Sequence, residues 1–119
     1  MKYLFLLHSP EGPPLDQGSV EYAETFAEWA AVTAAMAEAG VMIDCGPLQP
    51  VSSATTVRVR DGQAILTDGP AAELREQVGG YTLVECADLD EALKWAATIP
   101  SARTGWVDVR PVMATKASS

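Results

Sequence analysis

The sequence predicts an α+β domain of the ferredoxin-like kind, in which helices cover one face of a mainly antiparallel sheet. Three observations predict it. Short β-rich runs alternate with two helical stretches; the order is strand, helix, strand, hairpin, strand, helix, strand; and 119 residues leave room for one core and no second domain. The result is βαββαβ with a β-hairpin inserted between its halves.

Residues 2–8 are an apolar run that reads as a first strand, and Ser9-Pro10-Glu11-Gly12-Pro13-Pro14 after it is a loop by its Pro and Gly content. Over 19–39, Tyr22, Phe26, Trp29, Thr33 and Met36 recur at steps of four and three, the spacing of one helical face, while Glu21, Glu24, Glu28 and Glu38 mark the wet side. Gly40 supplies the stop. A short strand over 41–48 is closed by Pro47 and Pro50. Residues 55–60 alternate β-branched with charged side chains, and Asp61-Gly62 turns them into 63–67 as a hairpin. The turn Asp68-Gly69-Pro70 leads through a polar stretch, 71–77, expected to form one or two helical turns, into Gly79-Gly80 and a strand over 81–86.

Asp88 with Glu91 three residues on is a capping box for the second helix, which Pro100 ends near Ile99. Trp95 lies at the flank of that helix's apolar stripe, a place for a subunit rim or a core edge. The last strand spans 105–111. The domain is therefore expected over 1–112, with 113–119 a flexible tail.

Composition narrows the partners. The chain is 48% hydrophobic and 20% charged, an ordinary globular balance. Its net charge of −8 repels phosphate backbones and anionic headgroups, which argues against nucleic acid and membrane surfaces. The opening apolar run is cut by His8, Ser9 and Pro10 far short of a signal or spanning segment, so a cytoplasmic protein is expected. Cys45 and Cys86 stand alone, without metal-ligand spacing, and read as core residues. No phosphate loop, nucleophile elbow or paired metal motif occurs, so neither cofactor nor metal is expected.

Strand alternation carries the site. If Val57, Val59, Val107 and Val109 face the helices, then Thr56, Arg58, Arg60, Trp106, Asp108 and Arg110 share the opposite face. That face is either solvated or shared with a second copy in a two-sheet chamber able to hold a small polar or anionic ligand. An outward Trp106 and the uncovered side of so small a sheet favour a homodimer. Asp68 and Glu73 are candidate acid/base groups beside the turn, with Gly69, Pro70 and Arg75 around them, and Arg58 and Arg110 are candidate anchors for an anionic group. Asp68 would otherwise serve its own turn, and Glu73 with Arg75 would only solvate a short helix. His8, the only histidine, is a further catalytic candidate because imidazole is the side-chain type whose unperturbed pKa lies near neutrality.

These pieces resemble the YCII-related domain family, in its branch named for the motif Asp-Gly-Pro-Phe. The resemblance rests on Met1-Lys2-Tyr3, Ala39-Gly40, Gly46-Pro47-Leu48, Ala54-Thr55-Thr56-Val57-Arg58, Thr67-Asp68-Gly69-Pro70, Glu73, Glu76-Gln77, Gly79-Gly80-Tyr81, Asp88 through Ala92 with Trp95-Ala96, and Val109-Arg110-Pro111, in that order. Ala71 replaces the motif's Phe, and Arg75 stands where the family has Lys. The resemblance implies a dimeric ferredoxin-like α/β barrel with an active-site cleft and no assigned activity, often encoded beside extracytoplasmic-function sigma factors. Some members are discussed around a His and Asp pair, which is not carried over to a chain whose only histidine is His8. Two functions stay open: a cofactor-independent enzyme acting on a small anionic metabolite, and a non-catalytic module that senses a ligand or binds a protein.

Overall fold

The computed structural model describes residues 1–10, 16–69 and 76–114. Its elements are β1 (Lys2–Pro10), α1 (Val20–Glu38), β2 (Met42–Pro47), a 3-10 turn at Val51–Ser53, β3 (Thr55–Arg60), β4 (Gln63–Asp68), β5 (Glu76–Glu85), α2 (Leu89–Thr98), α3 (Ser101–Thr104) and β6 (Trp106–Pro111). The main sheet has the order β2-β5-β1-β6, with every neighbouring pair antiparallel. This is the ferredoxin-like arrangement: each helical crossover skips one strand position, which the other half of the fold fills.

Local chemistry sets the helix ends. The Ser19 hydroxyl accepts the Tyr22 N–H at 3.0 Å to start α1, and Gly40 at φ +76° ends it in a conformation that costs glycine nothing. At α2 the Asp88 carboxylate accepts the Glu91 N–H at 2.9 Å, while Glu91 reaches one residue beyond the cap to accept the Ala87 N–H at 3.0 Å. After Pro100 the chain makes the short α3, whose Arg103 forms an ion pair with Glu28 of α1.

Alternation along β1 builds the core. Tyr3, Phe5 and Leu7 are buried against Met36 of α1, Ala92 and Ala96 of α2, Val41, Val84, Cys86 and Ile99. Val107 and Val109 of β6 point to this side as expected, and Trp95 packs at the core edge.

Several expectations are corrected. Phe26, expected on the buried stripe of α1, is exposed, and Thr25 and Val32 take part in that stripe instead. Cys45 is exposed; only Cys86 is a core cysteine. β5 begins at Glu76, so the expected helical turns cannot extend to Gln77; residues 71–75 lie outside the described residues. Gly79-Gly80 lies within that strand rather than at a turn. A Cβ at Gly80 would come 3.0 Å from the Gly46 carbonyl oxygen, and Gly79 is the extra residue of a bulge opposite Leu7 and His8.

The largest correction concerns the hairpin. β3 and β4 pair with each other through the expected Asp61-Gly62 turn, with φ +52° and +77°, but they form a separate two-stranded sheet. Val57 and Val59 therefore do not face the helices: they are 60% and 61% exposed. The hairpin is an arm, closed at its root where the Gly69 N–H bonds the Ala54 carbonyl and the Thr56 hydroxyl donates to the Gly69 carbonyl at 2.7 Å.

Candidate functional site

The uncovered face of the main sheet follows from the same alternation that builds the core. With Tyr3, Phe5 and Leu7 under the helices, Leu4, Leu6 and His8 point the other way. Register then assembles their neighbours: Leu83 and Arg110 flank Leu4, Tyr81 and Asp108 flank Leu6, and Val78 and Trp106 flank His8. The result is an apolar strip with polar groups at its edges and an imidazole at one end.

At that end His8 and Asp108 meet. The His8 Nε2 lies 2.9 Å from Asp108 Oδ2, on the diagonal between adjacent antiparallel strands. The His8 side chain is 15% exposed and that of Asp108 51%, so the carboxylate reaches from water to a sheltered ring. Trp106 stacks on the imidazole with centroids 4.9 Å apart and planes inclined by 21°. The carboxylate sits off the axis of the ring N–H, so both ring nitrogens are buried without an aligned hydrogen bond. Leaving such a group unpaired costs about 1–3 kcal/mol, which a ligand or a small shift of the carboxylate would recover.

The backbone holds this ring in place from two sides. The bulge at Gly79 falls opposite the Leu7/His8 step and sets where the His8 side chain emerges. Gly105 permits the close approach of β6 to β1, since a Cβ there would fall 2.1 Å from the His8 carbonyl oxygen. Glycine is demanded here by space.

On the opposite edge of the same face the Tyr81 hydroxyl donates to Asp44 at 3.2 Å. This hydrogen bond and the negative charge of Asp44 raise the phenol above its ordinary range. Gly46 lets the ring lie flat over β2, where a Cβ would meet it at 2.9 Å. The sequence reading missed Tyr81 and Asp44. Extending the even-numbered series of β1 across to β5 and β2 would have found them, but that step needs the register.

Of the predicted site residues, the structure brings together His8, Asp108 and Trp106, and places Arg110 on the same face two positions beyond Asp108. Arg58 does not join Arg110. It lies on the arm opposite Ile65, because the hairpin never enters the main sheet. Asp68 and Gly69 close the arm's root, the structural role of a turn, with Asp68 exposed. Pro70, Glu73 and Arg75 lie outside the described residues. Among the described residues no three His, Cys, Asp or Glu side chains converge as a metal ion requires, and no helix is long and apolar enough to cross a membrane.

Comparison with known proteins places this geometry in a family context. The model of the YCII-related domain matches residues 1–116. An uncharacterized protein of Rhizobium meliloti (strain 1021) is 35% identical over 114 residues, covering 94% of this chain and 92% of the relative. Among solved structures, 5-chloro-2-hydroxyhydroquinone dehydrochlorinase (TftG) from Burkholderia phenoliruptrix AC1100, in complex with 2,5-dihydroxybenzoquinone, aligns with a TM-score of 0.51 over 100% of both chains at 15% identity, a likeness of fold.

Proposed function

The chain belongs to the YCII-related domain family, and on that premise we propose that it is a small cofactor-independent enzyme that moves a proton on a small anionic metabolite. The observation that carries the reading is His8 Nε2 at 2.9 Å from Asp108 in a sheltered, Trp106-walled corner of the open sheet face. An imidazole is suited to taking up and returning a proton near neutral pH. The Asp108 carboxylate orients the ring and stabilises the imidazolium formed when His8 accepts a proton. Arg110 is placed to pair with an anionic group of the substrate, and the indole forms an apolar wall. Asp68 has no part in this reading.

The dehydrochlorinase is a fold-level analogy: a protein of this architecture acts on a small hydroxylated ring. Thr67-Asp68-Gly69-Pro70 supports placing the chain in the Asp-Gly-Pro-Phe branch, and its Asp68 and Gly69 lie at the arm root. The uncovered sheet face supports a homodimer in which two such faces enclose the site.

The test is solvent deuterium incorporation, followed by NMR, across a panel of small enolisable keto acids and hydroxylated aromatic acids, together with chloride release from 5-chloro-2-hydroxyhydroquinone. Where the wild type turns a compound over, His8→Gln lowers kcat by about 10²–10⁴ and Arg110→Ala raises KM. Full activity in His8→Gln would sink the proposal. Compounds that bind but neither exchange nor react would leave a ligand-sensing module in place of an enzyme.

A further inference from the structure

The arm stands clear of the body that carries it. A compact chain of 119 residues has a radius of gyration of about 13.5 Å. This one measures 16.5 Å. Cross-strand register puts Val57 opposite Leu66 and Val59 opposite Ala64, all on one face, while Thr56, Arg58, Arg60, Gln63 and Thr67 share the other with Ile65. That apolar face is open to solvent, with Leu66 67% exposed. An isolated two-stranded ladder is marginal in water, so a hairpin this well specified needs a surface to lie on.

Three features identify the surface. The four-stranded main sheet has one side already filled by α1 and α2, and its open face carries apolar Leu4, Leu6, Leu83 and Trp106 with no cover among the described residues. The arm is rooted at the sheet end that bears His8 and Trp106, because β2 runs out at Pro47 beside Gly80 and β1 at Pro10 beside Glu76. Finally, residues 55–69 balance Arg58 and Arg60 against Asp61 and Asp68, whereas the chain carries −8. Two like-charged copies repel over most of their surfaces, and a neutral apolar arm is where they can touch.

We propose that the β3–β4 arm of one copy lies with its Val57, Val59, Ala64 and Leu66 face over the His8–Trp106 end of the open sheet of a second copy, reciprocally, so that each acid/base corner is completed by the other subunit. A two-fold axis exchanges both arms at once and removes both apolar faces from water. The site then excludes solvent only in the dimer. This rests on the acid/base reading solely in naming what the arm covers; the exchange itself stands on the uncovered surfaces.

Sedimentation equilibrium of the full chain at micromolar concentration should give about 25 kDa, twice the 12.6 kDa of one chain. The double variant Val57→Thr with Leu66→Thr, which places β-branched strand formers at both positions, should sediment as a monomer with an unchanged far-ultraviolet circular dichroism spectrum. Independently, in a Cys45→Ser background, differently tagged Leu66→Cys and Val78→Cys chains are mixed, allowed to exchange and treated with a short bismaleimide. A crosslink joining the two tags is expected. A monomeric wild type, or a dimeric wild type in which that crosslink is absent, overturns the proposal. None of these readouts requires turnover, so an active His8→Gln would remove the acid/base reading and leave the exchange standing.

Discussion

The two faces of β1 are built from alternate residues of one strand yet obey different rules. Odd positions Tyr3, Phe5 and Leu7 are buried beneath helices; even positions Leu4, Leu6 and His8 are half-buried on a side no helix reaches. On the covered face the buried side chains of the described residues are apolar apart from Thr82, as close packing favours. The open face tolerates a buried imidazole without an aligned hydrogen bond, 2.9 Å from a half-exposed carboxylate. Stability is concentrated on one side and chemical capacity on the other.

The largest effect expected from breaking the contrast is at neighbouring residues of β1. Phe5→Ala should lose about 3–5 kcal/mol in urea unfolding, because Phe5 is fully buried and its neighbours cannot close the cavity. Leu6→Ala, facing the other way, should lose about 1 kcal/mol. Equal losses would mean that the open face is as tightly packed as the core.

Cys86 sharpens the comparison through pH. Burial, reinforced by the charge of Glu91, pushes its thiol up from 9.0 to about 11. The stability this thiol supports is intact below pH 9, where the unfolded chain also keeps the proton. It is lost as pH rises through about 11, since the unfolded state ionises first. That difference is on the order of 2–3 kcal/mol, and Cys86→Ala should flatten this part of the stability profile between pH 9 and 11. In the native protein, iodoacetamide should label the exposed Cys45 and spare Cys86 until the chain unfolds.

Smaller effects lie at the edges. Asp88→Ala should cost about 1 kcal/mol of thermal stability, because the cap satisfies one otherwise unpaired amide of α2 on the covered side. Smallest is Asp44→Asn on the open side, which should bring the Tyr81 titration, followed at 295 nm, back down toward its ordinary range with little change in melting temperature. A phenol titration unchanged by that substitution would show that the two edge residues do not interact.

Periodicity and punctuation located α1, α2 and the arm, while α3 and the start of β5 escaped them. Ser19 and Gly40 bound α1, Asp88 and Pro100 bound α2, and Asp61-Gly62 turns the arm, because each acts through hydrogen bonds or backbone angles within a few residues. Gly79-Gly80 misled for the converse reason: the same residues that favour turns are also those that fit a bulge and a crowded strand crossing, and only the approach of Gly46 distinguishes them.

Alternation within β6 correctly put Trp106, Asp108 and Arg110 on one face, a property of a single strand. It could not say whether Arg58 shared that face, because alternation assigns sides within a sheet and is silent on which strands belong to it. His8 and Asp108 stand 100 positions apart in the sequence, and each alone is an ordinary polar residue at a strand position. The chain by itself thus determined its fold class, its helix limits and the side on which each β6 residue points, all local consequences of spacing and capping. Only the tertiary structure decided that β1 and β6 are neighbours in a register that sets an imidazole against a carboxylate, because strand pairing is a long-range contact that no local pattern encodes.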